Sequence, residues 1–171
     1  MSKGVAVNGF VSEEELERSP GYPSKERMQQ GPVVVIECPQ EIPCNPCEEA
    51  CPHHAITVGE PITNCPRLDE TKCVGCGLCI PRCPGLAIFL IDLTHSDKRA
   101  AVSIPYEYLP LPHMNQKVTA VNRAGEPVCE AEVIKVADTK PNDRTAVVTV
   151  TIPNDYAQEV RGIVRLGGHH G

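Results

Sequence analysis

The run Cys73-Val74-Gly75-Cys76-Gly77-Leu78-Cys79-Ile80-Pro81-Arg82-Cys83-Pro84 has the spacing C-x2-C-x2-C-x3-C-P, at which cysteine thiolates hold iron–sulfur clusters. Three thiolates spaced three residues apart can turn inward from one short loop and wrap one corner of a cubane. The fourth, Cys83, falls on the helical turn that follows, too far round to join them, so the spacing predicts that it reaches a second cluster. A partial copy lies upstream. Cys44, Cys47, Cys51 and Pro52 align with Cys76, Cys79, Cys83 and Pro84 at a constant offset of 32 residues, and the match continues from Ala55-Ile56 to Ala87-Ile88. Self-similarity of this kind predicts two half-modules facing each other.

The repeat assigns ligands to two [4Fe-4S] clusters. Cys73, Cys76 and Cys79, with Cys51 reaching back from the first half, form one set. Cys44, Cys47 and Cys83 begin the other, which is one member short. The offset places the missing ligand at residue 41, and that residue is glutamate. Cys38 is the preferred fourth ligand, because it lies three residues from the expected position and Pro39 and Pro43 hold the intervening loop extended. Cys65, between the halves, is the alternative; a [3Fe-4S] centre with three protein ligands and ligation by Glu41 are weaker readings. Cys129 lies far from the motifs in a strand-like segment and reads as core packing, since buried free cysteine behaves as a small hydrophobe.

Residues around the ligands carry supporting roles. Pro52 and Pro84 directly follow a ligand and stop the helical turn from continuing. Gly75 and Gly77 let backbone amides approach the inorganic sulfides. The first half has Asn45-Pro46 where the second has Gly77-Leu78, so it loses one amide donor and the two clusters need not share a potential. His53 and His54 follow a ligand, yet a Rieske centre places two histidines on one iron from separate loops, and here the cysteines already suffice. Paired C-x2-C spacing also suits zinc; four-ligand zinc sites do not account for the full run together with its repeated half.

Ten cysteines among 171 residues would suggest disulfides in a secreted chain. No charged-then-apolar leader and no apolar run of membrane-spanning length are expected here, so a reduced, cytoplasmic setting in which the thiols serve as metal ligands is the expectation. The net charge of -6 argues against nucleic-acid binding, which calls for a basic face. Aromatics make up 4% of the chain and tryptophan is absent. Clusters would supply cross-links that so few large side chains cannot.

Residues 1–31 read as a docking arm. Ser12 with Glu15 is a capping-box pattern opening a short helix through Arg18, Ser19-Pro20-Gly21-Tyr22-Pro23 breaks it, and Ser24 caps a second turn that ends at Gly31. Residues 32–93 form the cluster module, closed by pairing of a strand at Val33–Glu37 with one at Ala87–Asp92. Residues 94–112 read as a proline-rich connector. Residues 113–171 read as a small β domain: strands at 117–122, 127–137 and 145–152, turns at 123–126 and 140–143, and a short helix near Asp155 to Arg161. Alternation in 145–152 places Val148, Val150 and Ile152 on a buried face and Thr149 and Thr151 on a wet one. His169 and His170 sit at the extreme end. The fold class expected is α+β, a bacterial dicluster ferredoxin-like module followed by a small antiparallel β-barrel or sandwich.

No second chemistry is visible: there is no phosphate-binding glycine loop, no paired His-Glu metal helix and no nucleophile elbow. Clusters without a substrate site imply electron relay, and the chain is not expected to be catalytic alone. The run from Gly31 to Pro52, with Cys38, Cys44, Cys47 and Cys51, followed by Cys73-Val-Gly-Cys76-Gly-Leu-Cys79 and by Asp143-Arg144-Thr145, resembles the ferredoxin-like small subunit of multi-subunit, FAD-dependent amino-acid dehydrogenases related to hydroxyproline and proline dehydrogenases and to opine oxidases. The resemblance implies partner subunits that carry the FAD and the pocket for an amino acid or secondary amine, with this chain passing electrons between flavins or outward. Cys65 is a departure from the pattern. A free-standing diffusible ferredoxin serving several redox enzymes is the alternative.

Overall fold

A computed structural model describes residues 4–167; His169 and His170 lie outside the described residues. Three short helices open the chain: α1 (Val5–Asn8), α2 (Glu13–Arg18) and α3 (Lys25–Met28). The capping box forms at α2. Ser12 Oγ accepts from the Glu15 amide at 3.3 Å, and the Glu15 carboxylate accepts from the Ser12 amide at 2.8 Å. Helices this short do not persist on propensity alone, and tertiary contacts hold α2 and α3, whose Leu16 and Met28 are buried. Pro20 and Gly21 lend their carbonyls to the amides of Leu68 and Ile36. Gly21 packs so closely on Ile36 that a Cβ would come within 2.8 Å of it. The segment read as an arm thus lies along the edge of the cluster module.

Nine strands follow: β1 (Val33–Ile36), β2 (Ile56–Thr57), β3 (Arg67–Leu68), β4 (Ile88–Asp92), β5 (Arg99–Tyr106), β6 (Lys117–Val121), β7 (Pro127–Ala137), β8 (Ala146–Pro153) and β9 (Gly162–Ile163). One further helical turn, α4 (Pro46–Glu49), lies in the first half-module. β1 pairs antiparallel with β4, Val33 opposite Ile91 and Ile36 opposite Ile88. All four β1 residues are buried, and β-branched side chains of this kind contribute roughly 1.5–3 kcal/mol each on burial. The pair is one end of a seven-stranded antiparallel sheet ordered β1-β4-β5-β8-β7-β6-β9, while β2 and β3 form a separate two-stranded ribbon.

Several expectations are corrected. Residues 94–112 are not simply a connector, because Arg99–Tyr106 is a full strand bonded to β4 on one side and β8 on the other. Pro105 is tolerated there because β4 reaches no further along β5 than Ser103, so that edge needs no amide from it. Cluster module and β segment therefore share one sheet. No pairing among the described residues joins β1 to β9, so the strands form an open sheet and not a closed barrel.

Thr149 and Thr151 are not wet either; both are buried. β8 is a central strand, and the 3-10 turn Ile80–Arg82 between the last two cysteines of the second run packs against β4, β5 and β8. The threonine hydroxyls are satisfied within the sheet, Thr149 by Ser103 at 2.8 Å and Thr151 by Arg99 at 3.1 Å. The helix expected near Asp155–Arg161 is only a 3-10 turn, Asn154–Tyr156. The Arg161 amide donates to Val121 O at 2.9 Å, which draws the chain into β9 before a helix can propagate.

Candidate iron–sulfur centre

The two half-modules repeat in backbone detail as well as in sequence. The Ala55 amide donates to Cys51 Sγ at 3.3 Å, and 32 residues on the Ala87 amide donates to Cys83 Sγ at 3.4 Å. The His54 amide reaches Cys51 O and the Leu86 amide reaches Cys83 O, both at 3.1 Å. His54 and Leu86 take left-handed φ of 51° and 53°, a conformation uncommon outside glycine. Each half thus bends sharply after its last cysteine and turns an amide back onto that sulfur. His53 and His54 themselves are exposed.

The thiols fall into two groups. Cys38, Cys44, Cys47 and Cys83 line one almost wholly apolar cavity, with Ile36 and Ile88 from the β1–β4 ladder at its floor. Cys47 lies in this wall; burial, followed by the neighbouring Cys83, pushes its thiol up to about 11. Cys38 is likewise raised, first by burial and then by Cys83, Cys65 and Cys44. In the other group burial raises the Cys79 thiol, with Cys73, Cys76 and Cys51 as the charged neighbours that raise it further. Cys83 thus lines the cavity of the first group, and Cys51 is near enough to Cys79 to act on it. Crowded, desolvated thiolates repel one another unless a cationic iron core neutralises them, so the donor sets fit clusters. Among the described residues no three His, Cys, Asp or Glu side chains converge on a single-ion position.

Cys65 stands near Cys38 but outside the cavity wall, and the charge that acts on it is Glu41. Cys129 lies on β7, half-buried against the core, away from both groups. Gly75, at φ +70°, meets a constraint that motif reading overlooks: a Cβ there would lie 2.5 Å from Pro32 O and 2.7 Å from Pro32 Cβ. Its small size lets the cysteine loop pack on Pro32, the residue just before β1. Gly77, at φ +74°, has more room, with Ile80 the nearest contact at 3.4 Å.

Two supports were not legible from the motifs. Arg27 on α3 donates to Glu70 O, Gly31 O, Pro32 O and, at 2.7 Å, Cys73 O, which ties the N-terminal segment to the start of the second cysteine run. Glu70 in turn accepts from the Ser24 amide at 2.6 Å and from its hydroxyl at 2.8 Å. The second support is an ion triad beside Cys38. Glu37 accepts from Arg123 at 2.8 and 2.6 Å and from Arg161 at 2.7 Å, and Arg161 lies 5.3 Å from the Phe89 ring centroid. These partners are 86 and 124 residues apart, and no local pattern announces them.

The two groups differ in exposure. Cys76 is exposed, flanked by Val74 and Leu78, each 55% exposed. It opens onto a cleft of about 450 Å³ that separates the cysteine loop from the Ser103–Thr149 side of the sheet.

Comparison with known proteins agrees with this geometry. Residues 42–87 match the family described as 4Fe-4S dicluster domain. The chain is 39% identical over 54 residues to an aliphatic sulfonate oxidoreductase polyferredoxin-like subunit of Pyrococcus furiosus, covering 32% of this chain and 28% of that one. It is 36% identical over 59 residues to an uncharacterized ferredoxin of Methanocaldococcus jannaschii, covering 34% of each. The chain thus spans about a third or less of the length of these curated relatives. No solved structure matches it. The matched residues include every cysteine of the two runs, though not Cys38: this chain carries a ferredoxin-like 4Fe-4S domain with an electron-transfer role.

Proposed function

We propose that this protein binds two [4Fe-4S] clusters, one on Cys38, Cys44, Cys47 and Cys83 and the other on Cys73, Cys76, Cys79 and Cys51, and that it is a fixed electron-transfer subunit of a multi-subunit, flavin-dependent amino-acid or secondary-amine dehydrogenase in the cytoplasm. The clusters, when bound, accept and release single electrons. The chain's own residues hold them in a dry wall on the Cys38 side and leave a partly open edge at Cys76. The observation that carries the reading is that Cys83, from the second run, lines one apolar cavity with Cys38, Cys44 and Cys47.

The subunit role has separate support. A diffusible carrier needs little beyond a module the size of residues 32–93, whereas this chain adds an N-terminal segment and five further strands of the sheet. Tyr108, Leu109 and Met114 are 54%, 75% and 57% exposed, apolar surface of the kind that partners cover. The relative from Pyrococcus furiosus is itself named as a subunit of an oxidoreductase. The FAD and the substrate pocket would then belong to the partner subunits. A free ferredoxin is the second reading, favoured by the relative named a ferredoxin. Among the described residues no helix is long and apolar enough to cross a membrane, so neither reading invokes one.

Native purification with iron analysis tests this. About eight iron atoms per chain and co-elution with flavin-bearing subunits are expected. About four iron atoms would end the two-cluster assignment, and a lone chain that reduces several unrelated acceptors would replace the subunit reading with the free carrier.

A further inference from the structure

We infer that Arg123 and Arg161 are positioning residues for Cys38, so that the far edge of the sheet, from outside the cysteine motifs, completes the first cluster's ligand set. The inference rests on the reading of Cys38 as that cluster's fourth ligand. Cys38 is the one member of the eight that neither run supplies. It follows β1, whose ladder with β4 ends at Ile36, and beyond that point a single backbone bond, Glu37 N to Ala87 O at 2.8 Å, keeps the chain against its neighbour. Pro39 comes next and has no amide to offer.

Side chains alternate along an extended chain. Ile36 and Cys38 both face the cluster cavity, so Glu37 points to the opposite side, where its carboxylate is gripped by both arginines. Glu37 is 5% exposed, Arg161 3% and Arg123 13%. A carboxylate held at three points by two guanidinium groups has little rotational freedom, and it sets the peptide plane from which the Cys38 Cβ departs. The grip is itself anchored. Arg161 Nη1 donates to Ala157 O and Val160 O, its guanidinium lies over Phe89, and the Arg161 amide is bonded to Val121.

Ala87 links the two sides, because its carbonyl accepts from Glu37 while its amide donates to Cys83 Sγ. Removing Arg161 leaves a buried carboxylate with half its charge partners, and the end of β1 then gains by turning Glu37 toward water. Cys38 turns with it. Three thiolates remain around the cavity, the donor count of a three-iron centre.

The test uses the full chain with its clusters reconstituted anaerobically. EPR signals are assigned beforehand with Cys38→Ser for the first cluster and Cys79→Ser for the second. Arg161→Leu is expected to convert the first cluster to a three-iron centre or to lose it, with the second cluster's signal unchanged; Arg161→Lys, which keeps a charged donor, is expected to restore most of the first cluster. Should Arg161→Leu fail to fold, Glu37→Gln carries the test, because it keeps the shape and weakens the grip, and its expected result is partial conversion of the first cluster alone. Two intact clusters in Arg161→Leu, or equal loss of both, would overturn the inference. If Cys38→Ser leaves the first cluster whole, the ligand reading itself has failed; if Cys38→Ser removes that cluster while Arg161→Leu and Glu37→Gln do not, only the positioning role has failed.

Discussion

Replacing Gly75 by alanine is expected to destabilise the second cysteine run through two separable effects. The first is conformational: φ is +70° at this residue, and a left-handed backbone costs an alanine about 1–2 kcal/mol. The second is steric. The new Cβ would lie 2.5 Å from Pro32 O, 2.7 Å from Pro32 Cβ and 2.8 Å from Pro32 C, all parts of a rigid residue, so the loop must back away from the start of β1; overpacking of this kind costs about 1–3 kcal/mol. The sum is about 2–5 kcal/mol. Gly125 supplies the control, because it has φ +80° and nothing within 4 Å of its Cβ position, leaving only the conformational cost of about 1–2 kcal/mol. At about 2–4 °C per kcal/mol for a chain of this size, Gly75→Ala should lower the melting midpoint by roughly 4–20 °C and Gly125→Ala by roughly 2–8 °C. Cluster absorbance, followed anaerobically at one fixed scan rate since cluster loss is irreversible, is the assay. Equal shifts in the two variants, or loss of the first cluster before the second in Gly75→Ala, would refute the reasoning.

Cys38→Ser should convert or remove the first cluster while Cys65→Ser leaves about eight iron atoms per chain; iron and sulfide analysis decides between them, and the opposite pattern would move the ligand assignment to Cys65. Glu37 offers a pH test. Burial by itself would raise its carboxyl, but the hydrogen bond from Arg123 and the charges of Arg161 and Arg123 outweigh that and hold it below the ordinary 4.5. A depressed folded value means a contribution that is full above about 4.5 and lost as the pH falls through the folded value. Glu37→Gln should therefore flatten the fall of the melting midpoint on acidification below pH 4.5, and slopes parallel to the unsubstituted chain would count against the triad. Cys129→Ala should leave the iron content and both EPR signals unchanged; lost iron would show that Cys129 serves a cluster.

Chemistry at the cysteines was readable because their spacing is local. A turn of three or four residues decides where each thiol of a run points, and the repeat of 32 residues sets up the expectation that each half lends its last cysteine to the other. The same locality made Ser12, Ser24 and the runs that became β1, β4, β6 and β7 legible, since capping and hydrophobic alternation act within a few residues. Reading failed where distant partners decide. Arg99–Tyr106 is proline-bearing and mixed in composition, and only the ladders on both sides make it a strand. Thr149 and Thr151 alternate with valine as on a wet face, yet the Ile80–Arg82 turn packs on β8 and Ser103 and Arg99 satisfy their hydroxyls.

By itself, then, the sequence determined that this chain carries an iron–sulfur domain, and it predicts which cysteines of the two runs share a centre, because ligand geometry is written at the scale of a turn. Tertiary structure alone decided that the module and the remaining strands are one sheet, that Cys38 and not Cys65 lines the cavity with Cys44, Cys47 and Cys83, and that two arginines from the far edge brace the residue beside it. Those facts depend on which surfaces meet when the sheet curls, and burial of charge and apolar area between segments more than 80 residues apart leaves no periodic trace in the chain.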